Sequence, residues 1–139
     1  MKPVFVDTSA LIALGNEKDK WHKLAHQIRK NLLQVNRTFI TTSAVLLEVC
    51  NAFSNVKFRP TAIKIIEDIH KSDKWKIFEV DSKLTNKGFE RFKQMTDKDW
   101  SLIDCIGMEV AKEQKITEIF TTDHHFEQAG FVILLKMYS

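Results

Sequence analysis

The sequence predicts an α/β fold, in which a mostly parallel sheet of about five strands carries helices on both faces. Short segments rich in Val, Ile, Phe and Thr alternate along the chain with longer segments of helical periodicity. This alternation implies crossover connections, which join parallel strands and place helices on both sides of a sheet. The length of 139 residues suits one core, so residues 1–139 are expected to form a single domain.

The predicted strands are short and rich in β-branched and aromatic residues. The first is Val4-Phe5-Val6, and the third and fourth contain Phe78 and Phe120, which we interpret as core residues. The predicted strands span residues 4–6, 38–41, 76–80, 118–121 and 132–135.

Helical segments fill most of the gaps between these strands. A short helix is predicted directly after the first strand, at residues 10–14. Apolar residues recur at steps of three and four in residues 21–35, 61–70, 82–95 and 101–115. Residues 43–53 are apolar on nearly every side, which predicts a buried helix.

The composition is that of an ordinary soluble protein, with 44% hydrophobic and 28% charged residues. No apolar run approaches the roughly 20 residues that span a bilayer, and the N-terminus has no signal-peptide pattern. We expect a cytoplasmic protein without membrane contact. The net charge of +3 permits binding to an anionic polymer without demonstrating it. Cys50 and Cys105 lack metal-ligand spacing and are predicted to be reduced, buried thiols.

Two carboxylates follow predicted strands. Asp7 follows the first strand, and Asp123 follows Ile119-Phe120-Thr121-Thr122. The carboxyl edge of a parallel sheet is where open α/β folds bind ligands. Asp7 by itself fits a helix cap equally well, but the recurrence of the arrangement at Asp123 favours a site.

Two further carboxylates fall in helical segments. Glu48 lies in the apolar segment 43–53, where an acid is costly without a partner, and Asn51 one turn later could orient it. Asp104 shares a helix face with small and apolar residues, although a first-turn acid favoured by the helix dipole remains an alternative. Asp99 is interpreted as the N-cap of the helix that contains Asp104.

Carboxylates that converge on one site repel each other unless a cation lies between them. Mg²⁺ takes oxygen ligands and retains waters that a substrate phosphate can displace, and Mn²⁺ suits the same ligands. The sequence therefore predicts a site for Mg²⁺ or Mn²⁺.

The histidines are interpreted more conservatively. His124 and His125 follow Asp123 and are predicted to be turn residues that could contact RNA. His22 and His26 are four residues apart on a predicted helix, but no Glu follows His22 as a zinc-peptidase pattern requires, so a surface pair is favoured.

Taken together, the motifs resemble those of a PIN domain, and among PIN domains those of the VapC-like ribonuclease toxins. The resemblance is carried in order by residues 6–12, 42–51, 97–105 and 121–131, nearly the whole chain. It implies a three-layer α/β/α domain that binds Mg²⁺ or Mn²⁺ and cleaves RNA. The site residues implied are Asp7, Glu48, Asp104 and Asp123, of which Asp7, Asp104 and Asp123 hold the metal.

The resemblance also implies supporting residues and partners. Thr8 or Ser9 would stabilise the Asp7 side of the pocket by hydrogen bonds, and the further supporting residues are Asn51, Asp99 and Thr122. A homodimer and a small antitoxin protein that covers the pocket are the implied partners besides RNA.

Three alternatives remain at this point. The same site could serve RNA processing outside a toxin–antitoxin pair, or the domain could bind RNA or a protein without cleaving it. A phosphatase with Asp7 as covalent nucleophile would require a second Asp two positions later, where Ser9 stands.

Overall fold

The computed structural model describes residues 2–137 and confirms the α/β prediction. A sheet of five strands, all parallel, has the order β3-β2-β1-β4-β5. The strands begin and end within a few residues of the predicted segments. They are β1 Val4–Val6, β2 Phe39–Thr42, β3 Trp75–Phe78, β4 Glu118–Phe120 and β5 Val132–Ile133.

Two groups of helices cover the sheet. The first group, α1 to α4, and the second, α5 to α7, each pack among themselves. Since parallel crossovers are right-handed, the reversal of direction between β3 and β4 places the two groups on opposite faces. No helix within residues 2–137 is long and apolar enough to cross a membrane. The helices are α1 Thr8–Gly15, α2 His22–Gln34, α3 Ser43–Ala52, α4 Arg59–Lys71, α5 Ser82–Gln94, α6 Leu102–Glu113 and α7 His124–Gln128.

The strand order determines where a ligand can bind. The chain runs from β1 outward to β2 and β3, then returns past β1 to β4 and β5. A crevice opens at such a reversal, at the carboxyl ends of β1 and β4, because their connections lead to opposite sides. Asp7 follows β1 and Asp123 follows β4 within three residues, so the sequence places both acids at this crevice.

Small residues allow helix α6 to lie close to the sheet and to α5. A Cβ atom added to Gly107 would lie 3.1 Å from the ring of Phe5 in β1, and one added to Gly88 of α5 would lie 2.5 Å from Ile106. Both gaps are below normal van der Waals contact. Helix α6 therefore packs closely at Gly107, which is buried, and the neighbouring Met108 is buried as well.

Two local predictions about the starts of α6 and α7 are wrong. The N-cap of α6 is Ser101, not Asp99, because the Ser101 hydroxyl accepts from the Asp104 amide. His124 and His125 begin helix α7 and do not form a turn, since the Asp123 carboxylate caps a helix there.

Helix α3 is also less buried than its composition predicts. Val45 and Val49 face the core, whereas Leu47 is 67% exposed and Cys50 is exposed. The face of the helix that carries Val45 and Val49 packs on the core, and the opposite face meets solvent. The predicted burial of Cys50 is wrong, and that of Cys105 is confirmed.

Candidate active site

Asp7 is a buried acid at the junction of β1 and α1. The residue is only 6% exposed. Its backbone amide donates to the Phe120 carbonyl of β4 at 3.1 Å. It occupies the N-cap position of α1, yet its carboxylate makes no capping hydrogen bond. The capping interpretation therefore does not explain why an acid is present at this position.

Thr121 connects Asp7 to the end of β4. Its buried hydroxyl donates to Asp7 Oδ2 at 2.9 Å and accepts from the Asp123 amide at 3.0 Å. Ser9 Oγ lies 2.9 Å from the same hydroxyl and accepts from the Thr122 amide at 3.0 Å. Because the Thr121 proton is directed at Asp7, the Ser9 hydroxyl is the donor between the two. The hydroxyls of Ser9 and Thr121 thus connect the chain that follows β1 with the chain that follows β4.

Burial raises the pKa of Asp7 to about 7. Loss of hydration is the largest cause, and hydrogen bonds from the Thr121 hydroxyl and the Thr8 amide oppose it. The negative charges of Asp104 and Asp123 raise the pKa further. An ionised Asp7 is therefore costly here unless a cation offsets the charge of the three acids.

Asp104 and Asp123 lie on either side of His125. The Nδ1 atom of His125 is 3.2 Å from Asp104 Oδ2 and 3.2 Å from Asp123 Oδ1. Asp104 also accepts from the Ser101 amide at 3.1 Å, which completes a capping box at the start of α6. The acid therefore both caps its helix, as the dipole alternative proposed, and faces the crevice.

Glu48 approaches the same region from α3. Its Oε1 atom accepts a hydrogen bond of 2.6 Å from the hydroxyl of Thr8, the residue after Asp7. Among the described residues no hydrogen bond joins Asn51 to Glu48, and Asn51 is exposed one turn away. Thr8, and not Asn51, orients this acid.

The structure thus brings the four predicted acids to one end of the sheet, whereas the side chains of three predicted supporting residues, Asn51, Asp99 and Thr122, make no hydrogen bond to them among the described residues. Asp99 is exposed before α6, and Thr122 contributes its backbone amide only. Thr121 was missed by sequence reasoning, although a hydroxyl residue at the end of an apolar strand was a usable signal. The proximity of His125 to two acids was not predicted, because it depends on the formation of helix α7.

The donor atoms suit a divalent cation. Carboxylate oxygens are the ligands of hard divalent ions, and the buried acid Asp7 lacks a compensating positive charge from a Lys or Arg among the contacts described. Asp123, His124 and His125 offer ligand atoms that all lie within 4.8 Å of one another. The residues present therefore fit a metal ion.

Fold and site together define an open α/β domain with an acidic crevice at its topological switch point. The family model of the PIN domain matches residues 4–132, and the chain belongs to the PIN domain family. The resemblance predicted from the four sequence motifs is confirmed.

Solved structures support the same assignment. The chain is similar to VapC20 of Mycobacterium tuberculosis, a sarcin-ricin loop cleaving toxin, with 25% identity, a TM-score of 0.80, and 93% of this chain and 96% of that chain covered. It also shares the fold of VapBC2 from Rickettsia felis, solved with a DNA fragment from their promoter, at 15% identity, a TM-score of 0.68, and 94% and 96% coverage. No curated protein sequence matches the chain.

The raised pKa of Asp7 predicts how stability depends on pH. Between pH 3.8 and about 7 the unfolded chain ionises Asp7 while the folded chain keeps it protonated, so its contribution to stability is lost as the pH rises. In metal-free protein, Asp7→Asn should therefore be more stable than wild type at pH 8 by about 2 to 3 kcal/mol beyond the difference at pH 5. Urea denaturation in chelator at both pH values measures this. The exposed Asp73→Asn is the control, and a pH-independent difference for Asp7→Asn contradicts the assignment.

A second prediction concerns the Thr121 hydroxyl. Thr121→Val keeps the side-chain shape but leaves Asp7 without its main hydrogen bond, so the pKa of Asp7 should rise further. Thr41→Val is a matched control, because Thr41 is equally buried and its hydroxyl donates to the Val6 carbonyl at 2.9 Å. Both variants should lose about 1 to 3 kcal/mol of stability.

Carboxyl ¹³C NMR titration of Asp7 distinguishes the two threonines. Only Thr121→Val should move the titration midpoint upward. A midpoint that Thr121→Val leaves unchanged would show that the hydroxyl does not act on this carboxylate.

Proposed function

We propose that the chain is a metal-dependent endoribonuclease. The observation that carries the proposal is the buried Asp7. Its carboxylate makes no capping hydrogen bond, and the negative charges of Asp104 and Asp123 raise its pKa. Sites with strongly perturbed acids in a crevice are candidates for catalysis. The reaction follows from the likeness to VapC20, which is described as cleaving the sarcin-ricin loop.

Three acids are proposed to hold the cation, either Mg²⁺ or Mn²⁺. Asp7, Asp104 and Asp123 come from a strand end, a helix start and a second strand end, so they approach the crevice from different directions. When bound, a divalent cation makes water a stronger nucleophile at neutral pH and offsets charge on the phosphate. Ionisation of Asp7 then becomes favourable because an opposite charge is near.

The other residues of the site position these acids. Thr121 holds Asp7 and the Asp123 amide, and Thr8 holds Glu48, which is proposed to orient water or a ligand beside the cation. Ser9 supports Thr121. Because these hydroxyls come from α1 and β4, the rigid sheet holds the acids in place before substrate binds.

The biological role proposed is that of the toxin in a toxin–antitoxin pair. The likeness to VapC20 supports the toxin role, and the fold shared with VapBC2 supports an antitoxin partner. That this partner covers the site is proposed on the family resemblance alone. A homodimer is proposed on the family resemblance alone. RNA processing without an antitoxin would use the same acids and is separated from the toxin role by the growth experiment below.

Replacing the acids should abolish cleavage without unfolding the chain. Asp7→Asn and Asp104→Asn should each lower the rate of RNA cleavage with Mg²⁺ or Mn²⁺ by at least about a hundredfold, because each removes a charge that holds the cation. A gel assay of structured RNA measures this, with chelator as the blank and the exposed Asp73→Asn as control. Undiminished cleavage by Asp7→Asn would contradict the site.

Expression in a bacterial host tests the toxin role. Expression of the wild-type chain should stop growth, and expression of Asp7→Asn should not. Co-expression of the proposed antitoxin should restore growth to cells that express the wild-type chain. Colony counts after induction provide the measurement. Active nuclease that leaves growth unaffected would favour the RNA-processing role.

A further inference from the structure

We propose that His125 is a nitrogen ligand of the cation, so that the site combines oxygen and nitrogen donors and prefers Mn²⁺ over Mg²⁺. The inference rests on the proposed metal site and adds a ligand to it. Acids alone would leave the choice between the two ions open, since both ions accept carboxylates.

The ligand geometry supports this assignment. His125 Nδ1 is 3.2 Å from Asp104 Oδ2 and equally 3.2 Å from Asp123 Oδ1. Neighbouring ligands of an octahedral ion at about 2.1 to 2.2 Å are about 3.0 to 3.1 Å apart. The imidazole nitrogen therefore already lies at the spacing of neighbouring ligands from one oxygen of each acid.

The helix that carries the imidazole is fixed from several sides. The backbone amide of His125 donates to Asp123 Oδ1 at 2.9 Å, and the next residue, Phe126, is fully buried. Trp100 Nε1 donates to Gln128 Oε1 at 2.8 Å, which ties α7 to the segment that leads into α6 and Asp104. Helix α7 is therefore fixed relative to the segment that carries Asp104, and the ring nitrogen of His125 lies 3.2 Å from an oxygen of each acid.

His124 offers a contrast within the same helix. Its ring centroid lies 4.7 Å from that of His125, and it has a nitrogen within 4.8 Å of an Asp123 oxygen, but the residue is exposed and no contact to Asp104 is present among the described residues. His125 is the histidine that faces both acids. An imidazole nitrogen is a softer donor than oxygen and favours first-row transition ions, whereas Mg²⁺ prefers an all-oxygen shell.

Pulsed EPR of Mn²⁺ bound to the full chain tests the ligand directly. Electron spin-echo envelope modulation should show ¹⁴N coupling from a coordinated imidazole in the wild type and in His124→Asn, but not in His125→Asn. Calorimetric titration should show that His125→Asn lowers Mn²⁺ affinity about tenfold and changes Mg²⁺ affinity less than about threefold, which shifts the preference between the ions.

Several outcomes would overturn the inference. They are a wild-type spectrum without ¹⁴N coupling, coupling that is lost in His124→Asn instead, or an unchanged ratio of Mn²⁺ to Mg²⁺ affinity in His125→Asn. Thermal unfolding of each variant verifies that α7 remains folded, and the wild-type spectrum is independent of any variant. If Mn²⁺ binds with ¹⁴N coupling but RNA stays intact, the ligand assignment holds and the proposed nuclease function fails.

Discussion

The structure depends on one unfavourable interaction, the burial of the Asp7 carboxylate between the ends of β1 and β4. The strand order places this residue where the chain changes direction, and the parallel pairing of β1 with β4 removes it from water. The Thr121 hydroxyl and the Thr8 amide donate hydrogen bonds to the carboxylate but do not neutralise its charge. The surrounding acids make the charge still less favourable. The fold therefore buries an acid whose negative charge is not offset by the contacts described.

The other acids differ from Asp7 because each has a structural task. Asp104 completes the capping box of α6, and Asp123 accepts from the His125 amide at the start of α7. Helix N-termini carry partial positive charge, which favours both carboxylates where they stand. Asp7 stands at the start of α1 but does not cap it. Asp7 is thus the acid of this set whose negative charge is least compensated by its surroundings.

Much of this arrangement could be predicted from the sequence. The alternation of strand and helix segments predicted the parallel sheet, and the acids after β1 and β4 predicted the location of the site. Both predictions follow from local sequence pattern and general topology. The roles of Thr121 and His125 could not be predicted, because each depends on contacts between elements far apart in sequence, such as Thr121 with Asp7. Asp99 was mistaken for a cap because Asp and Ser cap helices almost equally well, whereas the reciprocal capping box between Ser101 and Asp104 sets the start of the helix.

The cost of burying Asp7 is itself an argument for function. An asparagine would accept the same hydrogen bond from Thr121 without a charge to desolvate. Selection for stability alone would favour the neutral residue, since a buried, unpaired charge is among the most destabilising features of a fold. Functional sites are where proteins carry such conflicts. A conflict that a bound divalent cation would relieve, at the switch point of a PIN domain, accounts for an acid that neither capping nor packing explains.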